Sequence, residues 1–421
     1  MTPLAWLGGR TFASLRKHRN YRLYFASHAV SFAGTWMQQI AAYWLVLELT
    51  GSPVAVGALA LAQLLPVTLL GLPVASVIDR FDARRLLLVT ESTLIVTSGT
   101  LAVLTLTGAV ELWHVYALGA FQGVVQVFGN PARHNLVFRI VGPGDLPNAV
   151  ALTSALGTIA RIVGPALGGL VVALAGTGVA FAVNSASYLA VVVALVCLRT
   201  QEMMPFVRST GRAGFRAMRS FVLGSRRVTV AFFAVLALST VSFNFDVLLP
   251  LVAKQTLGGD ARVFGLIAAV FGAGALCGAL LLASAGRASL RLLLLGAGGF
   301  GLLELALAPQ SSVAGVCVLL VPIGIFYVLW GASALASLQL AAPPHLRGQA
   351  ASLYFFAFQG GAPLGGLLAG WLTSRGGTAL AFTVAGLSAI TVAVVGAVAL
   401  RALEPDSRPS DLWRLIAPRR G

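Results

Sequence analysis

Apolar residues run along this chain in blocks too long for a soluble core. Near-continuous runs occupy residues 23–49, 54–77, 86–107, 112–133, 149–173 and 177–198, and then 229–253, 262–286, 290–308, 312–341, 349–374 and 377–401. Each is close to the ~20 residues with which an α-helix crosses the hydrocarbon of a bilayer. Inside a bilayer a single segment satisfies its own backbone polar groups only as a helix. The pattern predicts an all-α membrane protein with twelve transmembrane helices, in halves 23–198 and 229–401 on either side of a polar gap. That gap, 199–228, carries Arg208, Arg212, Arg216, Arg219, Arg226 and Arg227, with Phe215, Met218, Phe221 and Val222 at helical spacing. It reads as a cytoplasmic linker with an amphipathic helix lying on the membrane. Residues 1–22 form a basic, mildly amphipathic leader, read as retained because the run after it is too long for a signal-peptide core. Residues 402–421 form a tail.

Composition narrows the function. The chain is 58% hydrophobic and 10% charged, against roughly a quarter charged in soluble proteins, and its mean hydropathy is +0.89. No room is left for a soluble catalytic domain. The net charge of +16 would suggest nucleic acid on a soluble protein, but here topology accounts for it. With a cytoplasmic N-terminus, all but Arg161, Lys254, Arg262 and Arg375 of the 29 Lys and Arg fall on the cytoplasmic side. That asymmetry is the positive-inside rule and puts both termini in the cytoplasm, so no nucleic-acid partner is expected and the bilayer is. Cys197, Cys277 and Cys317 have no paired spacing and read as core residues, with no disulfide and no metal site.

The two halves echo each other. GPALGG at Gly164–Gly169 recurs as GAPLGG at Gly361–Gly366, so that Pro165 aligns with Pro363, Gly168 with Gly366, and Arg161 with Gln359. Two pseudo-symmetric six-helix halves related by duplication are a frequent plan of secondary transporters, which bind substrate near the midplane. Glycines there permit close helix approach and proline removes a backbone hydrogen bond. Gly164, Pro165, Gly168, Gly169, Pro363 and Gly366 therefore read as a helix-packing hinge.

Ionisable residues inside hydrocarbon cost at least ~2.5 kcal/mol and are functional candidates by default. Asp246, Arg161, Glu304 and Glu91 qualify. A carboxylate there can exchange a proton, whereas arginine keeps its charge, so Asp246 is the first candidate for proton coupling, with Arg161 as electrostatic partner and Glu304 and Glu91 behind. Asp246 has Ser242 and Ser239 on one helical face at i−4 and i−7. Glu48 and Glu111 stand at span ends and read as interfacial. Gln122, Gln126 and Asn130 form a polar stripe at i, i+4 and i+8, and Gln38 and Gln39 lie mid-run in the first span. Buried amides need partners, so these faces line either a wet substrate cavity, together with Gln359, Tyr327 and Trp330, or bonds between helices. Phe243, Phe245, Phe355 and Phe356 add aromatic surface for an apolar ligand or for packing. Enzyme readings fail: Lys17 and Lys254 are the only lysines, neither in a nucleotide-binding loop, and no His-Glu-x2-His occurs. No cofactor is expected.

These residues resemble the major facilitator superfamily over almost the whole chain. ASVIDRFDARR at 75–85 is similar to its cytoplasmic signature, in which Asp79, Arg80, Arg84 and Arg85 match and Ala75 and Asp82 replace the usual glycines. The resemblance implies a gating loop that pairs with neighbouring helix ends. GPALGG is similar to the signature of exporters. HRNYRLYF at 18–25, GTWMQQIAAYWLVLELTGSP at 34–53, NPARHNLV at 130–137 and DLPNAVALTSALGTIARIVGPALGG at 145–169 resemble the bacterial branch of enterobactin exporters and macrolide-efflux proteins. The resemblance implies the major facilitator fold, a bacterial inner-membrane location and a monomeric antiporter that exchanges protons for a hydrophobic or amphipathic small molecule. Export of an endogenous product such as a siderophore, and a non-transporting sensor or lipid-handling protein on the same fold, are the alternatives.

Overall fold

The computed structural model describes residues 12–75, 78–205, 226–285, 289–342 and 347–401. Most of the linker, the first eleven residues and the tail lie outside these. Among the described residues the elements are helices: α1 (Ala13–Lys17), α2 (Arg19–Thr50), α3 (Pro53–Ala75), α4 (Ala83–Leu106), α5 (Leu112–Val196), α6 (Arg226–Ala237), α7 (Phe245–Leu251), α8 (Ala261–Ala285), α9 (Leu290–Leu307), α10 (Val313–Ala341), α11 (Arg347–Gly360) and α12 (Ala362–Arg401), with short 3-10 and π turns between some of them. Among the described residues, eight helical segments are long and apolar enough to cross a membrane.

The longest helix is three lengths joined end to end. In α5, Gly142 (φ 70°) and Gly176 (φ 84°) leave helical geometry, and in α12 Gly377 does the same (φ 68°). Only glycine takes positive φ without a steric penalty, so Gly142 and Gly176 each serve as a turn, and in α12 the pair Gly376–Gly377 does. The resulting lengths 112–141, 143–175 and 177–196 correct one boundary. The fourth apolar run ends at Arg133 in the sequence, but its helix continues to 141. Likewise α2 begins at Arg19, inside the expected leader.

Contacts divide the chain into two compact units: residues 1–55, 62–212 and 259–269, and residues 56–61, 213–258 and 270–421. Their internal packing is parallel. In the first unit, Gly164 and Gly168 of α5 lie against Trp36, Ala33, Met37 and Ile40 of α2. In the second, Gly361 and Gly365 lie against Thr240 and Asn244 of the seventh run. A Cβ at these positions would collide, so small residues set the same helix-on-helix approach in both halves; the packing pairs Gly164 with Gly361 and Gly168 with Gly365, which corrects by one residue the register that sets Pro165 on Pro363. Gly123 against Gln63 in the first unit has its counterpart in Gly274 and Gly324 against α10 and α8 in the second.

Outward faces are apolar: Val89, Val96 and Val103 on α4 and Val318 and Leu340 on α10 are all more than 60% exposed. In a bilayer such a face meets lipid chains and exposure costs nothing. The same reasoning corrects the cysteines, since Cys197 and Cys277 are exposed and Cys317 is half-buried.

Candidate functional site

The polar residues of the first unit form two connected layers. In the upper one Gln38 of α2 is the hub. Its Nε2 donates to Gln122 Oε1 at 3.0 Å, and its Oε1 accepts from Ser98 Oγ at 2.7 Å and Asn184 Nδ2 at 2.6 Å. Gln122 also donates to Thr97 Oγ1 at 3.2 Å. Four helical lengths are thus joined through one amide, and Gln38, 6% exposed, serves helix-to-helix bonding, the second of the roles its position allowed. Beside it Gln39 Nε2 donates to Gln63 Oε1 at 2.7 Å, both half-buried.

The lower layer is an ion pair. Arg133 Nη2 meets Glu91 Oε1 at 3.0 Å, with Glu91 fully buried and Arg133 nearly so. Arg133 Nη1 donates to Asn130 Oδ1 at 2.9 Å and, more weakly, to Gln126 Oε1 at 3.4 Å. Tyr24 and His28 stack on each other at 4.9 Å, and His28 packs on Phe32, over which the guanidinium of Arg133 also lies. Tyr188 hydrogen-bonds Thr35 at 3.0 Å above them. Counting charges by side of the membrane places Arg133 on the cytoplasmic side at the end of the fourth run; its helix runs two turns further, and its guanidinium is a buried partner of Glu91. A signal for it existed, since Arg133 continues the stripe of Gln122, Gln126 and Asn130.

Arg161 is half-buried with its guanidinium 4.6 Å from the Trp36 ring centroid. The close seat of Gly164 on Trp36 holds that indole in place.

In the second unit the chemistry is aromatic. Phe243 stacks on Tyr327 at 4.2 Å, Phe245 on Phe271 at 5.0 Å, and Trp330 meets Phe243, Tyr327, Phe300 and Phe358 at about 6 Å. Trp330 is fully buried, so in this conformation it packs the core rather than lining a cavity, while Phe243, Phe271, Tyr327 and Phe358 are half-buried. Phe355 and Gln359 are exposed. Glu304 is fully buried and both its carboxyl oxygens lack a hydrogen-bond partner.

Asp246 stands at a break. The seventh run widens into a π turn at Leu238–Ser242, leaves helical geometry at Phe243 and Asn244, and restarts as α7. That break overturns the expected common face. Ser239 and Ser242 are buried and bond to the carbonyls of Ala357 and Ala385, whereas Asp246 is exposed between buried Phe245 and Val247.

At the loop after α3, Asp82 takes the place of a signature glycine and does a different job. It N-caps α4 by accepting from the Arg85 N–H at 3.0 Å and pairs with Arg139 Nη1 at 2.6 Å. Burial pushes its carboxyl up, but the Arg85 N–H and the Arg139 guanidinium outweigh it and leave the group below the usual carboxylate range. Arg84 donates to the carbonyls of Leu195 and Val196 at 2.7 and 3.2 Å, capping a helix end. Arg80 and Arg85 are exposed, and the side chain of Asp79 lies outside what is described.

α1 is anchored on the start of the 143–175 length. Ser14 N donates to Asn148 Oδ1, and Lys17 Nζ and His18 Nε2 meet Asp145 at 2.9 and 3.0 Å. Those two contacts, His18 first, hold the Asp145 carboxyl below its ordinary value.

The family described as transmembrane secretion effector matches residues 9–418. Macrolide efflux protein A of Streptococcus pyogenes is 22% identical over 90% of this chain and 97% of its own. The staphyloferrin A transporter of Staphylococcus aureus is 22% identical over 58% of this chain; the match spans 62% of that relative's length. Among solved structures, a POT family transporter in complex with 5-aminolevulinic acid superposes with a TM-score of 0.73 at 12% identity, covering 93% of this chain and 97% of that one. That likeness bears on fold alone, and the fold is the major facilitator fold.

Proposed function

The chain belongs to the transmembrane secretion effector family of the major facilitator superfamily, and we propose that it is a proton-coupled exporter of hydrophobic or amphipathic small molecules working by alternating access. It is a multi-pass membrane transporter and not an enzyme. The bacterial inner membrane as its site, twelve spans, cytoplasmic termini and a monomeric state belong to the proposal. So do the halves 23–198 and 229–401 and the intervening linker.

One observation carries the coupling. In an apolar run, the helix breaks at Phe243 and Asn244 and presents Asp246, an exposed carboxylate, immediately after the break. A carboxylate at membrane depth that is not sealed into the core can take and release a proton. The half-buried aromatics Phe243, Phe271, Tyr327 and Phe358 beside that break supply surface for an apolar ligand. In reconstituted vesicles Asp246→Asn is expected to abolish uphill export driven by a proton gradient and to leave downhill exchange. Uphill export by that variant removes the assignment.

A second reading has its own observation. Arg161, fixed over Trp36, is a permanent cation suited to an anionic product, such as a siderophore. Competition between a catecholate or carboxylate siderophore and a macrolide for binding to wild type, repeated with Arg161→Gln, separates the two readings.

A further inference from the structure

Among the described residues, Ser333 and Ser337 of α10 are the only serines or threonines whose hydroxyls are sealed from solvent without a hydrogen-bond partner. Other buried hydroxyls fold back on their own helix, as Ser27, Thr90, Thr97 and Ser187 do onto the carbonyl three residues earlier. Others cross to a neighbour, as Ser242 does to Ala385. One turn before Ser333 the indole Nε1 of Trp330 is sealed and unpartnered too, and an indole N–H can only donate. At 3.6 residues per turn, positions 330, 333 and 337 fall within about 60° of one another and span ~10 Å. Buried polar atoms are nearly always paired. Three on one helix face therefore form a row that the fold itself leaves unanswered.

Its surroundings are apolar and uncharged. α10 carries no Asp, Glu, Lys, Arg or His. Gly296 of α9 seats on the backbone of Trp330 and Gly299 on the ring of Phe326, so the two helices run antiparallel. Glu304 thus lies ~12 Å along α9 from the level of Trp330, on the side away from the two serines. Rings border the row: Tyr327 is 5.9 Å and Phe358 6.0 Å from Trp330. The Tyr354 hydroxyl lies where a Cβ at Gly331 would touch it, so a second polar group from α11 stands beside the row. Apolar walls with a few placed polar groups are the ordinary make-up of a small-molecule site. Unmet donors favour an oxygen acceptor over an ammonium, which brings donors of its own.

We propose that the Trp330 N–H and the Ser333 and Ser337 hydroxyls form a donor row that binds an uncharged oxygen acceptor, a ketone, ester or ether, carried by an apolar ligand. Taken with the export of apolar molecules proposed above, on which it rests, the row narrows the cargo to those with such an oxygen on one edge. Trp330 and Ser333 are fully enclosed in this conformation. The acceptor reaches them when the rings of α11 withdraw from α10, and the Trp330 ring packs while its N–H recognises.

The test is equilibrium binding of fluorenone and of fluorene, one ring frame with and without a carbonyl, to the purified full chain in detergent, with uptake into empty micelles subtracted. Wild type is expected to bind fluorenone about tenfold more tightly. The infrared carbonyl stretch of bound fluorenone should fall to lower frequency, as it does on accepting a hydrogen bond. Ser333→Ala with Ser337→Ala should bring the affinity ratio close to one and return most of that shift. Should this variant bind neither compound, Trp330→Phe, which keeps a ring and removes the N–H, must reduce the ratio instead. Equal binding in wild type, which is the result if water alone meets these groups, overturns the proposal. So does no binding of either compound, or a preference that survives both variants. Fluorenone that binds as expected but is not driven uphill in vesicles by a proton gradient overturns the export reading and leaves the donor row standing.

Discussion

In the N-terminal unit Gln38 reaches partners on three other helical lengths. In the C-terminal unit Glu304 is just as deeply buried, yet neither of its oxygens has a partner, and that unit's chief packed cluster is one of rings, Phe243, Phe245, Phe300, Tyr327, Trp330 and Phe382. The backbone approaches of the two units correspond, with glycine of the fifth run on the first and glycine of the eleventh on the seventh. Duplication has thus preserved how the helices meet while the polar content of the two cores has diverged. One half is held by directional bonds, the other by ring packing and shape. Losses in the first should come from orphaned donors and charges, and losses in the second from cavities.

The widest test of that contrast removes one pillar from each half. Glu91→Gln removes the counter-charge of Arg133 and leaves it only the amide oxygens of Asn130 and Gln126; it is expected to cost about 3–5 kcal/mol, with most of it regained when Arg133→Met is added; thermal unfolding in detergent reads both. Trp330→Ala opens a cavity among the rings and should cost about 3–5 kcal/mol, with no rescue by any polar substitution nearby. If charge removal at Arg133 fails to restore Glu91→Gln, the N-terminal core is not electrostatic in the way described. Next in size, Gln38→Leu leaves Asn184, Ser98 and Gln122 short of a partner and should cost about 2–3 kcal/mol. Gln39→Leu, whose single partner Gln63 is half-buried, should cost about 1 kcal/mol or less. Equal losses would dissolve the distinction between hub and side contact.

Glu304→Leu should act in the opposite sense. Replacing a sealed carboxyl that has no partner by an apolar group is expected to stabilise the C-terminal half by about 1–2 kcal/mol, and a fall in melting temperature would show that the group is held. The smallest effect lies outside the membrane. Because His18 and Lys17 keep the Asp145 carboxyl below its ordinary range, the α1 anchor is complete above that range. It is lost as pH falls through the depressed value, and proteolysis near Lys17 should accelerate there. Asp145→Asn should show the faster rate at every pH.

Much of this was readable beforehand, for physical reasons specific to each feature. Membrane length and the repeated GPALGG and GAPLGG blocks are written in apolar content and small residues, which is also what sets helix packing. The pairing of Arg133 is not legible in the sequence because a charge looks like the end of a span, and its partner Glu91 lies forty-two positions away. The face shared by Ser239, Ser242 and Asp246 failed because a π turn shifts register without any compositional mark. His28 and Asn184 carry no sequence signal, because a single polar residue in an apolar run says nothing about its partner. The cysteines differ from the expectation because lipid and protein core ask for the same apolar side chains.

Trp36 and Trp330 occupy opposite environments, the first under the guanidinium of Arg161 and the second enclosed by rings. An indole's emission shifts with charge over its face and with water at its edge. Two variants that each keep just one of these tryptophans would therefore report on the two halves separately, in real time and without a label. A compound that draws Arg161 away from Trp36 would announce itself as a colour change from the N-terminal half alone.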